Sequence, residues 1–569
     1  MKKLLKRISV VFIAMIMCCT FFVGVGCNRT EQYDKNKTQL FVANYAGGVG
    51  VKWLEAAAKR FEDANTDYKG EGSKVGVQVV IDNQKEYEGQ PLATTMDGSS
   101  YEIFFTGNAA YHNYKSVAKD ITDIVTKTVG SDGKTIESKL YQEDKDFMSV
   151  GGKYYGIPHY EIDDGISYDA GVFESKRLYF SDTIDTEDTT YPGTRKFIVN
   201  ANTKKSPGPN GVYENGEGDD GLPSSIAEFY KLLDKTLTND TKAFVWSGEL
   251  VHYTTILAVG LSNNLLGGYG LKSCFTFDSN GKTIDIVTSF DAGGKPVVTP
   301  TVITEDNAYL LKQSLANYYA LEFCSKVYAI GSGLYDGDCT AGTVSNLRAM
   351  EIFANSGLNG GTYDAMIIEG SYWHNEATAD GIFDRLAEDY PATYTKKNIK
   401  YMPLPRQYSG TVTEGNGTAP VFSAAGASYC FVNKSVTDKQ MELVEKFLSF
   451  IYTDDELVKF TESTNGITKR LQYDCMKAYA NVNSYGKSLL EVRAEAVNGG
   501  GYVIPFSTHR VFLNNSRYFG RNNTSGYWDS VIGGSTYSYV YTATRNNRTA
   551  KDYFLGMKMT ESQWNTYNK

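Results

Sequence analysis

The sequence predicts an α/β protein of at least two lobes, with a parallel sheet in the first. Three observations point there. Strand and helix patterns alternate over residues 39–107, an order that favours a parallel sheet. The chain has 569 residues of ordinary hydrophobic content, more than a single core holds. Three segments, Gly152 to Asp169, Ile399 to Pro405 and Thr464 to Arg470, interrupt the element runs and read as crossings between lobes.

The chain opens with Lys2, Lys3, Lys6 and Arg7, followed by an uncharged run from Ile8 to Gly26. A basic start, an apolar middle and small residues make a secretory signal. The cysteine that closes it, Cys27, resembles the lipobox cysteine of bacterial lipoproteins, where the signal is cut and the thiol carries a diacylglycerol. The lipobox usually has Leu three residues earlier, and Gly24 stands there instead. An uncleaved anchor or ordinary cleavage are the alternatives, since the run is near the ~18 residues at which a span becomes possible. All three put the body of the chain outside the cytoplasmic membrane.

After a polar tether, Asn28 to Lys37, the pattern gives a strand, Gln39 to Tyr45, and a glycine turn at Gly47-Gly48. A helix follows from Val51 to Ala64, with Trp53, Leu54, Ala57, Ala58 and Phe61 on one stripe. Val75 to Ile81 is the second strand, a short helix lies near Tyr87 to Met96, and Tyr101 to Thr106 is the third strand. In such sheets a ligand sits beyond the carboxyl ends of the strands, which here are Asn44-Tyr45, Asp82 to Glu86 and Gly107-Asn108. Pro158 keeps the first crossing strand out of a central ladder position. Later come a strand from Ala424 to Asn433 and helices from Lys439 to Tyr452 and Asp454 to Thr461.

The net charge is −9, and −13 once the four positive charges ahead of Cys27 are removed. So acidic a body is a poor partner for nucleic acid or anionic lipid. Beyond Cys27 five cysteines remain, without C-x-x-C spacing, which argues against a zinc site or a disulfide framework. Cys324 with Cys339 is the one candidate bridge, with buried free thiols as the alternative. The five histidines include no H-x-x-x-H, and neither G-x-S-x-G nor a P-loop occurs. Asp278 to Asp285 lacks the acidic ladder of a calcium loop, and Asn280-Gly281 there is a hairpin signal for Cys274 to Val287. No catalytic residue, metal ligand or cofactor is therefore expected.

Taken in order, Cys27, the helix Val51 to Ala64, Gly152 to Asp169, Met366 to Trp373, Met402 to Pro405 and Ala424 to Arg470 resemble the extracellular solute-binding proteins of ABC transporters. The likeness is to the carbohydrate-binding, maltose-binding-protein-like branch. It implies a two-lobed periplasmic-binding-protein-like fold of type II, each lobe a mostly parallel sheet flanked by helices, joined by three hinge crossings. The implied division is a signal peptide at 1–26, a lipidated tether at 27–37, the first lobe at 38–157 and 401–465, and the second at 158–400 and 466–569. The chain is longer than its relatives. The surplus is expected in a loop from Ser181 to Pro223, in the hairpin from Cys274 to Val287 and in the tail after Ser484. These insertions leave the ligand's size open.

The resemblance implies a lipid-anchored, monomeric, non-enzymatic protein that captures an oligosaccharide and delivers it to transmembrane permease subunits. Sugars present hydroxyl edges and apolar faces, answered by carboxylates, amides and aromatic rings. Asn44, Tyr45, Gln84, Glu86 and Asn108 are the candidates on the first lobe. His159, Tyr160 and Glu161 are those at the first crossing, and Trp246, Tyr253, Glu369, Tyr372 and Trp373 those on the second lobe. Arg470 is the candidate at the third crossing. Trp246 equally fits a core position, Asn44 a helix cap, Tyr160 and Glu161 ordinary strand positions, and Arg470 an ion pair between lobes. Two other functions stay open: an extracellular carbohydrate-active enzyme, and a binding protein for peptide or another small solute.

Overall fold

The computed structural model describes residues 33–505 and 549–567, apart from 71, 88–91, 108–115, 215–217, 250–252, 341, 359–360 and 427. The signal segment, Cys27 and Asn108 lie outside the described residues. The first lobe begins with β1 (Thr38–Tyr45), α1 (Lys52–Ala64), β2 (Val77–Gln84) and β3 (Ile103–Gly107). The stripe read from the sequence is the face that α1 buries: Trp53, Leu54, Ala57, Ala58 and Phe61. Helix α2 (Gln142–Met148) and strand β4 (Gly156–Pro158) complete this part. The first crossing runs through β5 (Glu161–Ile162) into β6 (Asp164–Asp169), the first strand of the second lobe.

The stretch Ser181 to Pro223 is not a bare loop. It contains an antiparallel pair, β7 (Phe180–Ile184) with β8 (Arg195–Phe197). The second lobe continues with β9 (Thr241–Val245) and α3 (Tyr253–Thr276), two helical runs that meet at a break where Gly267 takes φ 71° and ψ 172°. A second antiparallel pair follows, β10 (Thr283–Phe290) with β11 (Pro296–Val302). This corrects the expected hairpin: Cys274 ends a helix, and Asn280-Gly281, at φ 50° and 74°, joins that helix to β10. The hairpin turn lies at Asp291 to Lys295, where Gly294 takes φ 81°. The left-handed signal was real, but it served a helix-to-strand connection. Then come β12 (Tyr363–Gly370), α4 (Trp373–Ala379) and β13 (Ile399–Tyr401). The chain returns through β14 (Ala425–Gly426) to β15 (Ser428–Val432), α5 (Asp438–Ile451) and α6 (Asp454–Ser463), and α7 (Ser484–Gly499) follows the third crossing.

The two sheets have the same plan. The first has strand order β2-β1-β3-β15-β4, with β1, β2 and β3 parallel and β15 antiparallel to both its neighbours. The second has order β9-β12-β6-β13, with β6 antiparallel to both neighbours. In each, the reversed strand is the one that arrives from the other lobe. It enters at the gap between lobes and runs away from it, whereas the other strands end there. Ser428, the first residue of β15, therefore pairs with Gly107, the last of β3, and Asp164 pairs with Gly370. Pro158 lies on edge strand β4, where its missing N–H costs no ladder bond.

The crossings are bonded to one another. β14 pairs with β5 through Ala425–Ile162 and Gly426–Glu161, and Glu161 N donates to Thr468 O at 3.1 Å. The five described cysteines are buried and free, so no Cys324–Cys339 bridge forms. Burial pushes the thiols of Cys274 and Cys339 up to about 12. Among the described residues no helix is long and apolar enough to cross a membrane.

Candidate ligand-binding cleft

The strand ends of the two lobes meet beside the crossings. On the first lobe, the loop after β1 is held by Asn44, whose amide donates to Tyr45 O (2.8 Å), Gly50 O (3.2 Å) and Asn83 Oδ1 (2.9 Å). The Tyr160 hydroxyl lies against Gly48, only 2.2 Å from where a Cβ would stand, and Gly48 takes φ +65°. Only glycine suits that position. Its N–H points across the gap and donates to Glu376 Oε1 at 2.7 Å.

Glu376 belongs to the first turn of α4, on the second lobe. Tyr372 immediately precedes that helix, and Glu369 is at the end of β12. Tyr253 begins α3, its hydroxyl 3.4 Å from that of Tyr372. Burial first, then the charge of Glu369 close by, raises the Tyr253 hydroxyl well above its usual value, so it stays a neutral donor. A second contact between lobes joins Asn375 Nδ2 to Thr464 O at 2.6 Å. The contact between lobes thus gathers Gly48 and Tyr160 from one side and Tyr253, Glu369, Tyr372 and Glu376 from the other, with Tyr45 folded over Gly47 at its edge; Tyr160, Tyr253, Glu369 and Tyr372 are at most 5% exposed where the lobes meet. Flat rings, carboxylate acceptors and a backbone N–H suit an uncharged ligand rich in hydroxyls.

Of the residues picked from sequence, Tyr45, Tyr160, Tyr253, Glu369 and Tyr372 come together here. Others are spent elsewhere. His159 is buried among Trp53, Phe105 and Phe460, with Nδ1 3.0 Å from Lys469 Nζ. Glu161 accepts from Thr468 Oγ1 and Arg493 Nε, each at 2.6 Å, and from the Tyr502 hydroxyl. Trp246 packs inside the second lobe against Tyr328 and Tyr335. Arg470 is fully buried against Asp144. Gln84 is exposed at the end of β2 and donates to Asp82 Oδ1, beside a concavity of about 590 Å³ lined by Glu55, Lys59 and Glu62. Glu86 follows on a short turn, its side chain outside the described residues.

Trp373 is also a core residue. Its indole N–H donates to Ser167 Oγ at 2.8 Å, and its ring packs on Phe353, Phe383 and Tyr485. Trp373→Phe is expected to cost about 1–3 kcal/mol in chemical denaturation, from the lost bond and the void. Ligand affinity should not change, and a matching loss of binding would put the ring in the cleft after all. Sequence reasoning missed Glu376 and the Gly48 N–H. Glu376 had a signal, since it is one helical turn beyond Tyr372, but a carboxylate in a first helical turn also reads as a partner of the helix dipole.

No protein-family model and no curated protein matches this chain. Among solved structures, a chitin oligosaccharide binding protein aligns at TM-score 0.49 and 12% identity, over 94% of this chain and 99% of that one. The mannobiose complex of BlMnBP1, a binding protein of an ABC transporter from Bifidobacterium animalis subsp. lactis, gives 0.49 and 12% over 93% and 94%. Maltose-bound MalE3 of T. maritima gives 0.48 and 12% over 93% and 99%. Likeness at this level carries no weight for function, and the fold assignment rests on the two sheet orders and three crossings of this chain.

Proposed function

We propose that the protein is the substrate-binding component of an ABC importer, held at the outer face of the cytoplasmic membrane through lipid on Cys27. It captures an oligosaccharide between its lobes, hands it to a membrane permease, and makes or breaks no covalent bond. The observation that supports this most is the bond from Gly48 N–H to Glu376 across the gap, flanked by Tyr160, Tyr253 and Tyr372. A sugar hydroxyl can take the place of either partner, as donor to Glu376 or acceptor from Gly48. A ligand that touches both lobes favours the closed state over the open one, and the permease reads the closed surface.

Calorimetry with a panel of oligosaccharides tests the reading. Micromolar binding corresponds to about −8 kcal/mol, within reach of a few rings and charged hydrogen bonds. Tyr372→Phe removes the hydroxyl and keeps the buried ring, which is 5% exposed, so it is expected to weaken that binding about tenfold while the melting curve stays close to that of the parent. Silence from every sugar would remove the carbohydrate reading. Release of reducing ends from a polysaccharide would favour an enzyme instead.

A further inference from the structure

Away from the cleft, among the described residues, Glu214, Asp219 and Asp220 each present a carboxylate oxygen, and these oxygens lie within 4.8 Å of one another. Asp219 and Asp220 are 3% and 4% exposed. The backbone is wrapped around them. Asp219 N donates to Glu214 Oε2 at 3.1 Å, Asn210 N to Asp219 Oδ2 at 2.9 Å, and Glu214 N to both oxygens of Asp220 at 3.3 and 3.2 Å. Gly208, at φ +62°, backs directly onto Asp219, where a Cβ would come within 2.5 Å of Oδ1.

A second observation points to a ligand. Asp219 Oδ1 is buried and, among the described residues, accepts no hydrogen bond. The neighbouring guanidinium does not supply one: Arg406 Nη2 is 3.9 Å from Asp219 Oδ2 and 3.7 Å from Glu495 Oε2, and Nη1 donates to Thr418 O. A buried carboxylate oxygen without a donor is costly, and three crowded carboxylates repel one another.

We propose that this loop is a calcium site, with Glu214, Asp219 and Asp220 as ligands. The donors are all oxygen, with no His or Cys, which selects a hard cation. An ion about 2.4 Å from each oxygen bridges the observed spacing. The site also has something to hold. Asn210 Nδ2 donates to Glu495 Oε1 on α7 at 3.3 Å, and Gly415 N donates to Gly211 O at 2.7 Å, in the return segment of the second crossing. A bound ion therefore fastens the loop to α7 and to that crossing.

The test is a calcium titration of EDTA-stripped full-length protein by calorimetry, with melting curves in calcium and in EDTA. The expected result is saturable binding of one ion per chain and a melting midpoint about 2 °C or more higher at saturation. Asp219→Asn and Glu214→Gln should each weaken binding at least tenfold. If a variant does not fold, Tyr213-sensitised terbium luminescence on the parent protein, displaced by calcium, is the expected signal. No heat with an unmoved midpoint, unchanged affinity in both variants, or no terbium signal overturns the proposal. None of these readouts involves sugar, so they are decided separately from the function of the cleft.

Discussion

Arg470→Leu is expected to destabilise the protein by about 3–5 kcal/mol, with Asp144→Leu costing a similar amount. Both side chains are fully buried, and the pair is bidentate: Nε to Oδ2 at 3.1 Å and Nη2 to Oδ1 at 2.6 Å. The guanidinium also reaches Ala424 O and the Tyr429 hydroxyl, each at 3.4 Å. It therefore fixes the third crossing to α2 and to the segment that enters β14. Removing one partner leaves the other charge buried and uncompensated, which is the expensive case. Removing both is different. The double variant Arg470→Leu, Asp144→Leu should recover most of the loss, because desolvation of two ions is no longer required. Urea denaturation of the four proteins measures this. Single losses below about 1 kcal/mol, or strictly additive ones, would mean that the pair is not the clamp its burial implies.

The same pair marks where sequence reading stops. That the helix before Thr464 ends there was legible, because Asn465-Gly466 is a turn signal, and both residues take positive φ, 49° and 95°. The partner of Arg470 was not, since Asp144 is 326 residues away. The stripe of α1 was legible because amphipathic spacing is a local property. Whether an aromatic at a strand end faces core or cleft is not local. Tyr372 and Trp373 are adjacent, yet Trp373 is fixed in the core by Ser167, which lies on the neighbouring strand. The reversed strand in each sheet was also hidden. Periodicity fixes a strand's faces but not its direction, and here direction follows from which lobe the chain has just left. The lobe-closing Gly48–Glu376 bond joins residues 328 apart, and its donor is a backbone group with no side-chain signature.

Lys469 should make stability depend on pH, and Lys469→Met should remove that dependence. The lysine is fully buried, its Nζ 4.7 Å from the ring centre of Trp53, 4.7 Å from Tyr452, 4.6 Å from Phe460 and 5.6 Å from Phe105. Its hydrogen-bond partner is His159 Nδ1 at 3.0 Å. Cation–π attraction in such a cage is worth about 2 kcal/mol, against a desolvation cost of several kcal/mol for an ion that, among the described residues, has no carboxylate in salt-bridge contact and feels only the more distant Glu456. Desolvation wins, and burial brings the amine down to about 7 from 10.5. Between those values the unfolded chain binds more protons than the folded one, so stability rises with pH. Below about 7 both forms are charged and the contribution is flat. The slope within the window is at most about 1.4 kcal/mol per pH unit. Buried thiols work in the opposite direction once the unfolded thiols ionise, near about 8.5, so wild type and variant must be compared at each pH. The stability of Lys469→Met minus that of wild type should fall by about 2 kcal/mol between pH 7 and 8.5. A constant difference over that range would mean that the cage holds a charged lysine, and that ring attraction outweighs desolvation at this crossing.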